Sequence, residues 1–193
     1  MKLFVTAVMA LILAGSAGAQ HLNFGIKGGL NLTNIHNQNG VELDNSIGYH
    51  LGLLAHIHLA KQFAMQPEVV FSLQGAKYSS GNDKASINLN YVNVPLSFQY
   101  MFDNGFRLQA GPQVGFLISA KTKIGSTSSD SKDSFKGIDV GATMGMSYVH
   151  PPSGFGFDAR YNLGLSNIFE NSSASSFNRG FQLGVFYLFK HKS

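Results

Sequence analysis

From Gln20 onward the chain alternates with a period of two, and this limits what it can fold into more than any other feature. In FRLQAGPQVGFLIS, Phe106, Leu108, Ala110, Pro112, Val114, Phe116 and Ile118 share one face, while Arg107, Gln109, Gly111, Gln113, Gly115 and Ser119 lie largely on the other. That spacing makes strands; a helix would group residues three and four apart. The pattern returns in FGFDARYNLGLS, GIDVGATMGMSY and GFQLGVFYLF. Eight such segments are expected, at 22–33, 47–60, 64–78, 87–101, 106–119, 136–149, 155–167 and 179–190, and no amphipathic helix stands out between them. Most exceed the ~9–11 residues that a tilted strand needs to cross hydrocarbon.

Composition decides which solvent each face meets. The chain is 44% hydrophobic and only 12% charged, with 22 Gly, 16 Phe and 7 Tyr; soluble domains average about 25% charged residues. A soluble sandwich or a lipocalin-like binder would turn its apolar face inward and cover the other with Lys and Glu. Here the polar face is Gly, Asn, Gln and Ser, which suits a narrow interior. Connections alternate in length. Lys61–Phe63, Phe102–Gly105 and His150–Gly154 are tight, whereas 34–46, 79–86, 120–135 and 168–178 are long and polar. Short turns at one end and long loops at the other mark an outer-membrane barrel, with the turns in the periplasm. Phe63, Phe102, Phe106, Phe155, Phe157 and Phe189 crowd the short-turn end, where an interfacial girdle belongs. The expected fold is therefore all-β: an eight-stranded antiparallel up-and-down transmembrane β-barrel, monomeric.

The first residues fit this location. Lys2, the apolar run Leu3 to Ala14 and Ala17-Gly18-Ala19 read as a secretory signal peptide over 1–19, cut after Ala19, with the barrel domain over 20–193. There is no Cys, so neither a lipid anchor nor a disulfide is expected. The net charge of +4 comes from scattered lysines, which disfavours nucleic acid as a partner.

Two features strain the pattern. Pro67, Pro95 and Pro112 fall inside expected strands, although a closed barrel has no edge to hold them, so each must mark a bulge or a widened rung. In INLNYVNVPLSFQY the apolar residues shift from odd (Ile87, Leu89, Tyr91) to even (Val92, Val94, Leu96) positions. A β-bulge between Tyr91 and Asn93 would absorb that slip.

Strand parity places Lys27, Glu68, Arg107, Asp139, Asp158 and Arg160 in the lumen, three charges of each sign. An eight-stranded barrel is about as wide as its own side chains, and enclosed charges must pair. A polar plug is expected. His50, His56 and His58 share the lumen face. With a turn at Lys61–Phe63, His56 faces Glu68 and His58 faces Gln66. H-x-H with one carboxylate is an incomplete ligand set, and His50 lies about 20 Å along the strand. Neither a metal nor a cofactor is expected. There is no G-x-S-x-G and no nucleophile placed beside a base, His50 with Ser72 or Ser97 being only a grouping by type, so no catalytic constellation is assigned.

The ordered set GIKGGLNLTN, GYHLGLLAHIHL, QPEVVFSLQGAKY, LNYVNVPLSFQYMF, LQAGPQVGFLIS, DVGATMGMSY, DARYNLGLSNI and GFQLGVFYLF resembles the outer-membrane β-barrel domain family common in Bacteroidetes, whose members are often labelled porin family proteins. The resemblance covers nearly the whole chain after Gln20. It implies an eight-stranded barrel in the outer membrane, inserted by the barrel-assembly machinery, and implies no shared activity. Such barrels often end on an aromatic residue, whereas Phe189 is followed by KHKS. The expected role is structural or surface-interacting, with outer-membrane lipid and lipopolysaccharide as partners. Lys121, Lys123, Lys132 and Lys136 are the loop cations for that contact, with Asp130 and Asp133 among them. The alternatives are a small porin-like channel, then a lipid-modifying enzyme or a periplasmic lipocalin-like binder.

Overall fold

The computed structural model describes residues 22–37, 44–80, 83–125, 127–170 and 176–189. The signal peptide expected over 1–19 and the KHKS tail lie outside them. The strands are β1 (Leu22–Asn37), β2 (Asp44–Ala60), β3 (Phe63–Ser80), β4 (Asp83–Met101), β5 (Phe106–Ile124), β6 (Thr127–Asp130), β7 (Ile138–Val149), β8 (Phe155–Gly164) and β9 (Ser176–Leu188). All neighbouring pairs are antiparallel. The order β4-β3-β2-β1-β9-β8-β7-β5, with β4 pairing back to β5, closes an eight-stranded barrel. The short β6 pairs as a hairpin with the outer end of β5, on the edge that β7 leaves beyond Phe116↔Ile138.

The two faces meet opposite environments, as the alternation requires. Phe157 (66% exposed), Leu53 (65%) and Leu183 (64%) point outward, while Lys27 (3%), Glu68 (2%) and Arg160 (4%) point into the barrel. Apolar side chains outside and charges inside are the arrangement of a barrel that meets lipid. At the short-turn end the rings form two runs. One is Phe63–Tyr100–Phe102–Phe106, with centroids 5.3, 5.0 and 5.6 Å apart. The other is Phe155–Tyr187–Phe189, at 4.8 and 5.4 Å. Tyr100 and Tyr187 complete a girdle that reading phenylalanines alone left broken.

The prolines widen rungs without adding residues. The β2–β3 ladder lapses at Gln66 and Pro67, the β3–β4 ladder at Val94 and Pro95, and the β4–β5 ladder at Gly111 and Pro112. Register is the same on both sides of each gap. A residue with no N–H thus sits where no rung is made, and the three gaps lie on adjacent strands.

The expected bulge is corrected. In β4 the inward residues stay odd throughout, from Leu89 and Tyr91 to Asn93, Ser97 and Gln99. The extra residue is Ile118 in β5, left unpaired between Leu117↔Tyr91 and Ser119↔Asn90. Leu117 and Ala120 both face in as a result, with Ile118 outside.

The long loops are also shorter than expected. The connection expected over 79–86 is nearly all hairpin, paired up to Ser80↔Asp83, and KTKI pairs with TSSD through Lys121↔Asp130 to Ile124↔Thr127. Polar residues on both faces hide these strand ends from a periodicity reading, because both faces there meet water.

Of the four described glycines with positive φ, Gly75 is the one inside a strand. Gly75 has φ +148°, and a Cβ there would collide with the Ile87 carbonyl. The ladder between β2 and β3 is irregular at this level. The Thr33 hydroxyl reaches across from β1, accepting from Gly75 N–H and donating to the Gly75 carbonyl, both at 3.0 Å. One lumen hydroxyl thereby serves a donor and an acceptor that the distorted ladder does not pair.

Candidate functional site

The lumen is where this fold concentrates its chemistry, and it is layered. At mid-height, β1, β3 and β8 bring four charges together. Lys27 Nζ lies 3.0 Å from Asp158 Oδ2 and 3.3 Å from Glu68 Oε2. Arg160 Nη2 lies 2.6 Å from Glu68 Oε1, and its Nε lies 2.9 Å from Asp158 Oδ2. Signs alternate around this ring, so every charge touches two of the opposite sign. Glu68 and Arg160 stand on strands separated by three others, so their contact crosses the lumen. Gln66 Nε2 donates to Glu68 Oε1 at 2.7 Å. Room for the ring comes partly from Gly184, where a Cβ would press on Asp158 Oδ1 at 2.8 Å.

A layer of amides and hydroxyls lies beside the ring. His50 Nδ1–H donates to Asn31 Oδ1 at 2.8 Å, since an amide oxygen only accepts. Asn31 Nδ2 donates to the Ser72 hydroxyl at 3.0 Å and to the Leu73 carbonyl at 2.9 Å. His50 and Ser72 thus meet through Asn31 and not as a base with a nucleophile. On the other wall Gln99 donates to Gln109 at 3.0 Å.

Each end of the lumen also carries an apolar cluster. Ile35, Ala76, Leu89, Tyr91, Leu117, Ala120, Phe135 and Ile168 cluster at the long-loop end. Phe135 and Ile168 come from two different loops. Lys136 N–H donates to the Ile168 carbonyl at 2.8 Å, Glu170 N–H to the Ser134 carbonyl at 3.2 Å, and Phe135 stacks on Phe169 at 4.8 Å. At the short-turn end Leu54, Val149, Phe186 and Leu188 form a second cluster. The lumen expected to be polar is thus apolar in part. The signal for the upper cluster was present in the odd positions of Ile87, Leu89 and Tyr91, which had seemed to be a slip of phase.

The eight residues expected to form one network divide. Lys27, Glu68, Asp158 and Arg160 form the ring. Asp139 is at the long-loop end, accepting from Ser166 at 2.7 Å and from Asn178 at 3.0 Å. Arg107 stands at the other end, in none of the four ion pairs. The His56–Glu68 pair does not form. The turn is two residues long, Lys61–Gln62, and a bulge between His58 and Ala60 moves the register by two from that expected. Leu54 then faces Glu68, and His58 faces Ala64. His56 lies instead against Gln66, Gln99 and Arg107, with the His58 ring edge-on at 4.7 Å. Among the described residues, no three His, Cys, Asp or Glu side chains converge as metal ligands would.

The family model for the outer membrane protein beta-barrel domain matches residues 18–170. The crystal structure of Ail, the attachment invasion locus protein of Yersinia pestis, is similar at 16% identity, covering 86% of this chain and 98% of that one, with a TM-score of 0.53. Ail in complex with the heparin analogue sucrose octasulfate gives 16% identity, 88% and 100% coverage and a TM-score of 0.54. Neisserial surface protein A gives 15%, 88% and 100%, and 0.52. No curated protein matches the chain by sequence. At these identities the likeness is one of fold.

Proposed function

The chain belongs to the outer membrane protein β-barrel domain family, and from that premise we propose that it is a non-conducting barrel of the outer membrane whose role is structural and surface-interacting. The observation that carries this reading is the four-charge ring, whose Glu68–Arg160 contact spans the lumen. Moving such a ring aside would strip buried charges of their partners, which costs several kcal/mol per ion. Apolar clusters above and below the ring fill further lumen positions with packed side chains and support the same reading. The cavity lined by Thr33, Gln74, Asp139 and Asn178 is only about 20 Å³, room for about one water. Purified, refolded protein is expected to give no steady conductance in planar bilayers at neutral pH. A large, stable, ohmic conductance would replace this reading with a small porin-like channel.

The surface role rests on the outer hairpin. Lys121 and Lys123 on β5 and Lys132 in the following 3₁₀ turn are exposed, with Asp130 in register with Lys121. On this reading these cations meet lipopolysaccharide phosphates and form the contact of a monomeric barrel with its outer leaflet. Refolded barrel is expected to bind lipopolysaccharide micelles in a salt-sensitive way. Replacing Lys121, Lys123 and Lys132 together by Ser is expected to weaken that binding. Equal binding by the triple variant would assign these cations no such role.

A further inference from the structure

The short-turn mouth holds a second site, distinct from the charge ring. It is a cavity of about 300 Å³ lined by residues of all three tight turns and of the first and last strands, among them Asn23, His58, Lys61, Asp103 and Arg107. Arg107 is the unusual member. It projects inward near the start of β5, is 7% exposed, and its Nη1 has no hydrogen-bond partner among the described residues. The lumen carboxylates among those residues are otherwise engaged. Glu68 and Asp158 each hold Lys27 and Arg160. Asp139 stands across from Gly115, about 27 Å along β5 from Arg107 at strand rise. A buried guanidinium without a counter-charge is costly, and this one faces a cavity that opens to the periplasm.

We propose that this mouth binds a phosphate-type oxyanion, with Arg107 as its anchor. The guanidinium fork offers two parallel donors to two oxygens of one phosphate. Lys61, exposed on the β2–β3 turn, adds a second cation at the rim, and His58 adds a ring nitrogen. Among the described residues Asp103 is the one carboxylate of the lining; it is exposed at the rim and makes no ion pair with Arg107. Met101, Phe102, Val149 and Leu188 make up apolar walls, which lower the local dielectric and strengthen a charge-assisted contact. The cavity admits a phosphate with part of the group that carries it. That group belongs either to a soluble phosphoester or to an inner-leaflet phospholipid.

The test is titration of inorganic phosphate into refolded full-length protein in dodecyl maltoside, followed by calorimetry. Arg107→Gln is expected to weaken binding at least about tenfold, equivalent to about 1.4 kcal/mol. Arg107→Lys, which keeps the charge and loses the fork, should fall between. Lys61→Gln, at an exposed turn, is expected to cost about threefold, and it keeps the test valid if Arg107→Gln fails to show the heat-modifiable gel shift of a folded barrel. No binding by the wild-type chain would overturn the proposal, as would equal affinity in all variants. Phosphatidylglycerol added to the micelles then identifies the source. Displacement of phosphate supports a lipid headgroup in the site, and failure to displace supports a soluble phosphoester.

Discussion

Glu68→Ala is expected to destabilise the barrel by about 3–5 kcal/mol, because it leaves Lys27 and Arg160 facing a single carboxylate in a buried site. The double variant Lys27→Met/Asp158→Leu is the informative comparison. It removes one charge of each sign and leaves the 2.6 Å Arg160–Glu68 contact intact, so its cost should be smaller than that of Glu68→Ala alone. The chain has no Trp, so unfolding in urea is followed by circular dichroism and by heat-modifiable gel migration. A double variant as damaging as the sum of Lys27→Met and Asp158→Leu would mean that the four residues contribute separately and not as a ring.

Phe135→Ala is expected to release the outer cap while sparing the barrel. Phe135 is buried in the upper cluster and stacks on Phe169, and truncating a buried Phe costs about 3–5 kcal/mol. The loss falls on the two loops that meet there, a unit held by a few backbone bonds and this packing, so it should appear as local opening. Trypsin cleavage after Lys136, whose N–H is bonded to Ile168, should accelerate by about a hundredfold or more. The thermal transition of the strands should move little. Unchanged protease resistance would show that backbone bonding alone holds the loops together.

Parity alone placed Lys27, Glu68, Asp158 and Arg160 inside the barrel, because a period of two fixes the face of every residue on a regular strand. Partners are a different matter. They depend on register, and register depends on turn length and bulges. The two-residue Lys61–Gln62 turn, with its neighbouring bulge, moved Glu68 opposite Leu54 and away from His56. Contacts across the lumen, such as Glu68 with Arg160, depend further on how the closed barrel staggers its strands, which no local pattern records. The Ile118 bulge left no turn residue to betray it. Leu89 and Tyr91 misled for the opposite reason: the strand stayed regular while the lumen changed from polar to apolar. The outer strand ends stayed hidden because KTKI and TSSD pair in water, where alternation carries no advantage.

The unequal strand lengths give the barrel a direction. The β8 strand has 10 residues, about what a bilayer crossing uses, whereas β3, β4 and β5 have 18, 19 and 19. The surplus of about eight residues, at strand rise and a tilt of about 40°, lifts one side of the wall roughly 20 Å above the other. The outer end of the molecule is therefore a parapet on one flank, with the loops of the low flank leaning inward against it. A neighbour arriving along the membrane plane meets a broad ladder of paired backbone on one side and little but lipid on the other. The rotational orientation of this barrel in the leaflet thus decides what touches it.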